Sequence, residues 1–272
     1  MKIDYVKLSP TGNVTVLVTS PVSREKQAAV AARLLAPDCV GGEQVGYLET
    51  PTDPRAGARL QMMGGEFCGN AAMALGALLC RRDGLADGQP RSLRLEVSGS
   101  SGTVPCAMLR EGDDWLGTVR MPLPTSIEQI DLIAGEEMFR APLVRMPGIA
   151  HLIIPAGIGL GETEVRQYLP QWNAAIGADA LGALLWNAPS RFINPIVYVP
   201  SAGTLVREHG CGSGSAAISC WLAAAAGKTC EMPVNQPGGT ILVRAAILNG
   251  KLTVLSINGR VKLIDEGTVE IP

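Results

Sequence analysis

Two short stretches constrain this chain more than any other feature. In each, a glycine-rich turn delivers a cysteine to the start of an alanine-rich apolar run: Gly64-Gly65-Glu66-Phe67-Cys68-Gly69-Asn70, and His209-Gly210-Cys211-Gly212-Ser213. The runs that follow, residues 69–80 and 212–226, read as helices, with stops at Asp83-Gly84 and Gly227-Lys228. The surroundings repeat as well. Each half has a strand after a Gly-containing turn, at Gly12-Asn13 and at Pro147-Gly148, and each has a later strand that follows a Gly-Thr pair, Gly102-Thr103 and Gly239-Thr240. A doubled pattern of this kind implies two pseudo-equivalent domains facing each other with a site between them.

Strand candidates fall at residues 13–18, 59–63, 93–97, 117–121, 151–155, 195–199, 240–247 and 252–257, and two further helices at 24–35 and 162–175. With 272 residues the chain has room for one large domain or two of ordinary size. No apolar run approaches the ~20 residues that span a bilayer, so no membrane partner is expected. Residues 1–10 carry no apolar signal core, so secretion is not expected. A formal charge of −2 without a Lys/Arg cluster leaves no nucleic-acid footprint. The expected partner is a small molecule, or another copy of the chain.

The seven cysteines are odd in number and form no CxxC pair, which points to the reducing cytoplasm rather than to a disulfide framework or a zinc site. A lone buried cysteine is ordinarily a small hydrophobe, and Cys39, Cys80, Cys106, Cys220 and Cys230 are read that way. Cys68 and Cys211 differ. A helix N-terminus has unpaired N–H groups and a partial positive charge, so it favours a thiolate or a bound carboxylate. One such cysteine suggests a nucleophile; two in matching places suggest inversion of a stereocentre. That reaction removes a proton from one face and delivers one to the other, and one thiolate with one thiol does this without turning the substrate. The carbanion needs its carboxylate held by fixed dipoles, which two helix N-termini supply. No metal or dinucleotide motif is recognisable, and Gly157-Ile158-Gly159-Leu160-Gly161 lacks the βαβ context of a phosphate loop, so no cofactor is expected.

The segment Cys68-Gly69-Asn70 resembles the first cysteine motif of the diaminopimelate epimerase family, and Cys211-Gly212-Ser213-Gly214 resembles its second, Cys-Gly-Thr-Gly. Gly12-Asn13, Asn194 and Pro237-Gly238-Gly239 resemble further family positions, so the likeness covers nearly the whole chain. It implies catalytic roles for Cys68 and Cys211, and substrate contacts for Asn13, Gly69, Asn70, Asn194, Gly212 and Ser213. It also implies an α/β (α+β) fold of two pseudo-symmetric domains, each a curved, mostly antiparallel sheet wrapped around a central helix, with the active site in the cleft between them. The first domain would be residues 1–122 with 262–272 returning to it, the second residues 123–261.

The family's Glu-Arg-Gly-x-Gly-Glu-Thr stretch before the second cysteine is here shortened to Arg207-Glu208-His209-Gly210. That loss leaves the clamp for a second carboxylate in doubt. The wording Gly-Gly-Glu-Phe-Cys-Gly-Asn is closer to the histidine racemases of staphylopine-type metallophore biosynthesis, which use two cysteines without pyridoxal phosphate. Histidine racemisation therefore ranks first and diaminopimelate epimerisation second. Glu43, in the turn Gly41-Gly42-Glu43-Gln44, is a carboxylate suited to an imidazole, and Glu208 and His209 adjoin the second cysteine. His151 opens a strand in the second half, where site and core roles are both open. A cysteine hydrolase, or a two-domain amino-acid binding protein, is the alternative from another class.

Overall fold

A computed structural model describes residues 1–271; Pro272, the end of the segment expected to return to the first domain, lies outside the described residues. The chain divides into two compact units, one of residues 1–120 with the chain from Asn258 onward, the other Met121–Ile257. In the first unit β1 (Lys2–Pro10), β2 (Thr15–Val18), α1 (Arg24–Leu35), β3 (Gln44–Glu49), β4 (Ala58–Met62), α2 (Gly69–Arg82), β5 (Pro90–Val97), β6 (Thr103–Glu111) and β7 (Asp114–Arg120) follow one another. In the second come β8 (Ser126–Ala134), β9 (Glu137–Met146), β10 (Ile149–Pro155), α3 (Glu162–Ile176), β11 (Leu181–Asn187), β12 (Phe192–Val199), β13 (Thr204–Arg207), α4 (Gly212–Ala226), β14 (Cys230–Gln236) and β15 (Gly239–Leu248). The last strand, β16 (Lys251–Glu270), begins in the second unit and ends in the first.

The pairing pattern shows that the doubling is real. In the first unit the ladder runs β1-β2-β3-β4-β5-β6-β7-β16, and β16 pairs back onto β1, so the sheet closes on itself. Its parallel pairs are β2–β3 and β4–β5, the two places where a helix intervenes. In the second unit the ladder runs β16-β15-β14-β12-β11-β10-β9-β8 with β13 added to β12. Its parallel pairs are β10–β11 and β12–β14, bridged by α3 and α4. Parallel neighbours need a long crossover and antiparallel ones a short turn, so the helices fix which pairs are parallel. Helix α1 thus corresponds to α3, and α2 to α4.

Composition explains which helix goes where. Helix α2 is apolar on every side, and Gly69 to Leu78 are all buried together with Cys80. Such a helix has no face for water and becomes the axis of its unit; it packs against β1, β2, β4, β5, β6 and β7. Gly76 is required there, because a Cβ would lie 2.8 Å from Met108 Sδ and 2.9 Å from Cys106 Sγ. Helix α4, buried from Gly212 to Cys220 apart from Ser213, packs against β9, β10, β14 and β15. The outer helices are amphipathic: α1 buries Gln27, Val30, Ala31 and Leu34, and α3 buries Val165, Leu169, Trp172 and Asn173. Trp172 anchors the α3 side of the second core, edge-on to Phe139 at 5.8 Å and donating its indole N–H to Ile133 O at 2.8 Å. Among the described residues no helix is long and apolar enough to cross a membrane.

One strand of the repeat was not foreseen: β14 lies between α4 and the Gly-Thr strand β15, in the place that β5, expected at residues 93–97, takes between α2 and β6. Strand β14 alternates in burial through Met232, Val234 and Gln236, but Pro233 in its middle weakens the local strand signal.

The turn between β5 and β6 braces the first cysteine loop. Gly99 has φ +72°, and a Cβ there would fall 2.4 Å from Phe67 N, backbone against backbone. Gly84 has a similar φ of +65° with open space around it. Gly84→Ala should therefore cost about 1–2 kcal/mol, the left-handed penalty alone. Gly99→Ala should cost about 1–3 kcal/mol more for the collision. Urea unfolding midpoints of the two variants check the difference, and equal midpoints would contradict the bracing.

Candidate active site

Each unit places its cysteine as the N-cap residue of its central helix. Cys68 has an extended backbone (φ −129°, ψ 112°) and its Sγ accepts the Ala71 N–H at 3.4 Å. Cys211 has φ −107° and ψ 100°, and its Sγ accepts the Gly214 N–H at 3.3 Å. In both, sulfur takes the capping place usually held by a Ser, Thr, Asp or Asn oxygen. The N–H three residues on is an orphan donor of the helix end, and it stabilises sulfur most when sulfur is negative. The glycine after each cysteine is buried, as Gly69 and Gly212, and leaves the cap open to close approach.

Around Cys68 the sequence-predicted residues Asn13 and Glu43 come together through one that was not foreseen, Gln44. Gln44 Nε2 donates to Asn13 Oδ1 at 2.5 Å and to Thr15 Oγ1 at 2.7 Å. That orientation turns Gln44 Oε1 toward Cys68, whose Sγ–H donates to it at 3.1 Å. Asn13 Nδ2 donates in turn to Glu43 Oε2 at 3.0 Å. The register supports this grouping, since β2 and β3 pair Thr15 with Gln44. Asn13 and Asn70 are both buried, at 4% exposure each, though only a small part of either unit's polar complement is.

Around Cys211 the arrangement differs. The thiol is 3% exposed. Burial pushes its pKa well above the ordinary thiol value, and the neighbouring Glu208 carboxylate pushes it further; Ser213 and the Gly214 N–H pull the other way without prevailing. Ser213 Oγ lies 3.6 Å from Cys211 Sγ and 3.0 Å from His151 Nε2. His151 is fully buried, and a Cβ on Gly182 would lie 2.4 Å from its Nδ1, so the glycine makes room for the ring. His209 is exposed, and its carbonyl accepts the Gly238 N–H at 2.7 Å. Asn194 belongs to another network: it donates to Glu162 Oε2 at 3.2 Å and accepts from Arg207 Nε at 2.7 Å.

Gln236 was also not foreseen. Its Oε1 accepts the Cys211 N–H at 2.6 Å. The signal was present but indirect, because Gln236 immediately precedes the Pro237-Gly238-Gly239 turn and Gln44 immediately follows Glu43. Among the described residues no group of three or more His, Cys, Asp or Glu side chains is placed to hold a metal ion.

Burial lowers the His151 pKa to about 3. The unfolded chain takes up this proton near pH 6.5 and the folded chain does not, so acid favours unfolding. Stability from this residue is present above about pH 6.5 and is lost as pH falls, at about 1.4 kcal/mol per pH unit. His151→Gln keeps an amide near the Nε2 position but does not titrate. Between pH 6.5 and 5, urea-derived stability of the parent should fall more steeply than that of His151→Gln by about this slope. Identical slopes would mean that His151 is protonated in the folded chain.

Residues 2–269 match the family described as "Histidine racemase CntK N-terminal domain". The histidine racemase of Staphylococcus aureus is 30% identical, with 99% of this chain and 98% of that protein covered. A histidine racemase of Fusobacterium nucleatum is 27% identical, with 99% and 97% covered. Among solved structures, a hydroxyproline epimerase from Agrobacterium vitis superposes with a TM-score of 0.72 at 14% identity, covering 98% of this chain and 92% of that one. At that identity the likeness concerns the fold.

Proposed function

Because the chain belongs to the histidine racemase family, we propose that it interconverts L- and D-histidine by two-base proton transfer between Cys68 and Cys211. The observation that carries the reading is the duplicated cap: two topologically equivalent helices, each opened by a cysteine whose sulfur receives the N–H of the third residue on. One sulfur acts on each face of the α-carbon. The sulfur facing the α-hydrogen of the bound enantiomer takes it as thiolate while the other, as thiol, protonates the opposite face, and the two roles exchange with the direction of reaction. The carboxylate of the deprotonated substrate takes negative charge, which the first-turn N–H groups of α2 and α4 stabilise.

Histidine as substrate rests on the relatives' activity, on the shortened segment before Cys211, and on two carboxylates, Glu43 and Glu208, able to meet an imidazole. Asn13, hydrogen-bonded to Glu43, and the first-turn residues Asn70 and Ser213 complete the reading of the substrate contacts. Asn194 would act at the edge of the site, from its place beside Arg207. Pyridoxal phosphate and metal ions have no part in this scheme. All seven cysteines are free thiols, which fits a reducing cytoplasm.

A chiral panel of single L-amino acids tests the substrate. D-histidine should form fastest, and Glu43→Ala should weaken discrimination among side chains more than it slows accepted substrates. Faster turnover of LL-diaminopimelate would reverse the ranking. Cys68→Ser and Cys211→Ser should each lose about 10²-fold or more in racemisation, because a hydroxyl is a far poorer base than a thiolate near neutral pH. Calorimetry should show histidine binding retained in both. Activity should also survive chelators and carbonyl reagents and be lost on thiol alkylation.

A further inference from the structure

The hydrogen bonds around Cys211 form a closed side-chain circuit laid over the first backbone bond of α4, Ser215 N–H to Cys211 O at 3.0 Å. Cys211 N–H donates to Gln236 Oε1 at 2.6 Å. Gln236 Nε2 donates to Ser215 Oγ at 3.1 Å, and Ser215 Oγ donates to the Cys211 carbonyl at 2.8 Å. The circuit has one consistent direction. The Ser215 hydroxyl has a single proton, spent on Cys211 O, so it accepts from the amide nitrogen. The amide oxygen then faces the Cys211 N–H. Gln236 and Ser215 are buried, at 4% and 0% exposure, so no water competes. The main chain on the preceding side is held too, by Gly238 N–H on His209 O at 2.7 Å.

We infer that Gln236 is a positioning residue for the reaction, holding the Cys211 N–H directly and the Cys211 carbonyl through Ser215 so that the sulfur stays on the Gly214 N–H and aimed at the substrate. The first unit has a counterpart at the equivalent place. Ser98 follows β5 as Gln236 ends β14; its Oγ accepts the Met62 N–H at 2.9 Å and donates to Glu66 O at 2.7 Å, pinning the loop that leads to Cys68. In each unit the strand after the central helix supplies a polar side chain to the loop before it. Secondary structure alone does not require this, since a strand end can be closed by any turn residue. A buried glutamine with its oxygen on the Cys211 N–H and its nitrogen on the hydroxyl that bonds the Cys211 carbonyl is suited to setting the sulfur's place.

This inference rests on the two-base reading, and its test separates the two. In D₂O, Gln236→Met should lower kcat for histidine racemisation about 100-fold, the effect of a displacement near 1 Å, with KM within about threefold. Cys68 is untouched and still removes the α-hydrogen; with Cys211 displaced the carbanion waits long enough for the proton on Cys68 sulfur to be replaced by solvent deuterium, which Cys68 then returns to the same face, so exchange without inversion should rise about 10-fold relative to inversion. Iodoacetamide labelling, read by mass spectrometry, should speed up at Cys211 by about 10-fold and stay constant at Cys68. Ser215→Ala removes one link of the circuit with little change in volume. It should shift all three readouts in the same direction by less, and it serves if Gln236→Met does not fold. Equal loss of exchange and inversion, or unchanged Cys211 labelling, would overturn the positioning role. A parent protein that racemises no amino acid overturns the functional reading instead, while the labelling still reports on the circuit.

Discussion

The structure depends on a helix end capped by sulfur. An α-helix leaves its first N–H groups without partners, and in α2 and α4 the cysteine Sγ takes one of them. The same contact does two things. It ends the helix at a fixed residue, and it places a group that can give or take a proton in the positive field of the helix dipole. Both central helices are buried at this end, with Cys211 itself buried and Cys68 half-buried.

Equivalent caps in two equivalent units do not make equivalent thiols. Cys68 donates to the amide oxygen of Gln44, itself oriented by Asn13 and Thr15. Cys211 is enclosed and lies beside Glu208, which with burial favours its protonated form. The topology is duplicated, while the side chains near each sulfur differ: Gln44, Asn13 and Thr15 form the network at Cys68, and Ser213, His151 and Glu208 stand near Cys211.

Much of this was legible in the sequence, and the reason is local. Alanine and glycine in α2 and α4 mark helices that must be buried, and a cysteine between a Gly-rich turn and such a helix marks the cap. Helices α1 and α4 begin and end where the hydrophobic period and the Gly227 stop place them. What escaped depends on register. Gln44 reaches Cys68 because β3 pairs with β2, and Gln236 reaches Cys211 because β14 ends beside α4's first turn; neither partnership is written in adjacent residues. The strand β14 was hidden by Pro233. Asn194, singled out by resemblance, turns out to be tied to Glu162 and Arg207, a partnership made by the hairpin of β12 with β13.

The central claim is that two different thiols act on the two faces of one carbon. It is tested most directly by early-time NMR and chiral analysis of L-histidine incubated with the enzyme in D₂O. Two bases predict that the D-histidine first formed carries deuterium at the α-carbon while the remaining L-histidine keeps its hydrogen, with the mirror result from D-histidine. Deuterium appearing at equal rates in both enantiomers from the first turnovers, or D-histidine formed with its original hydrogen, would mean that a single group moves the proton and would contradict the account.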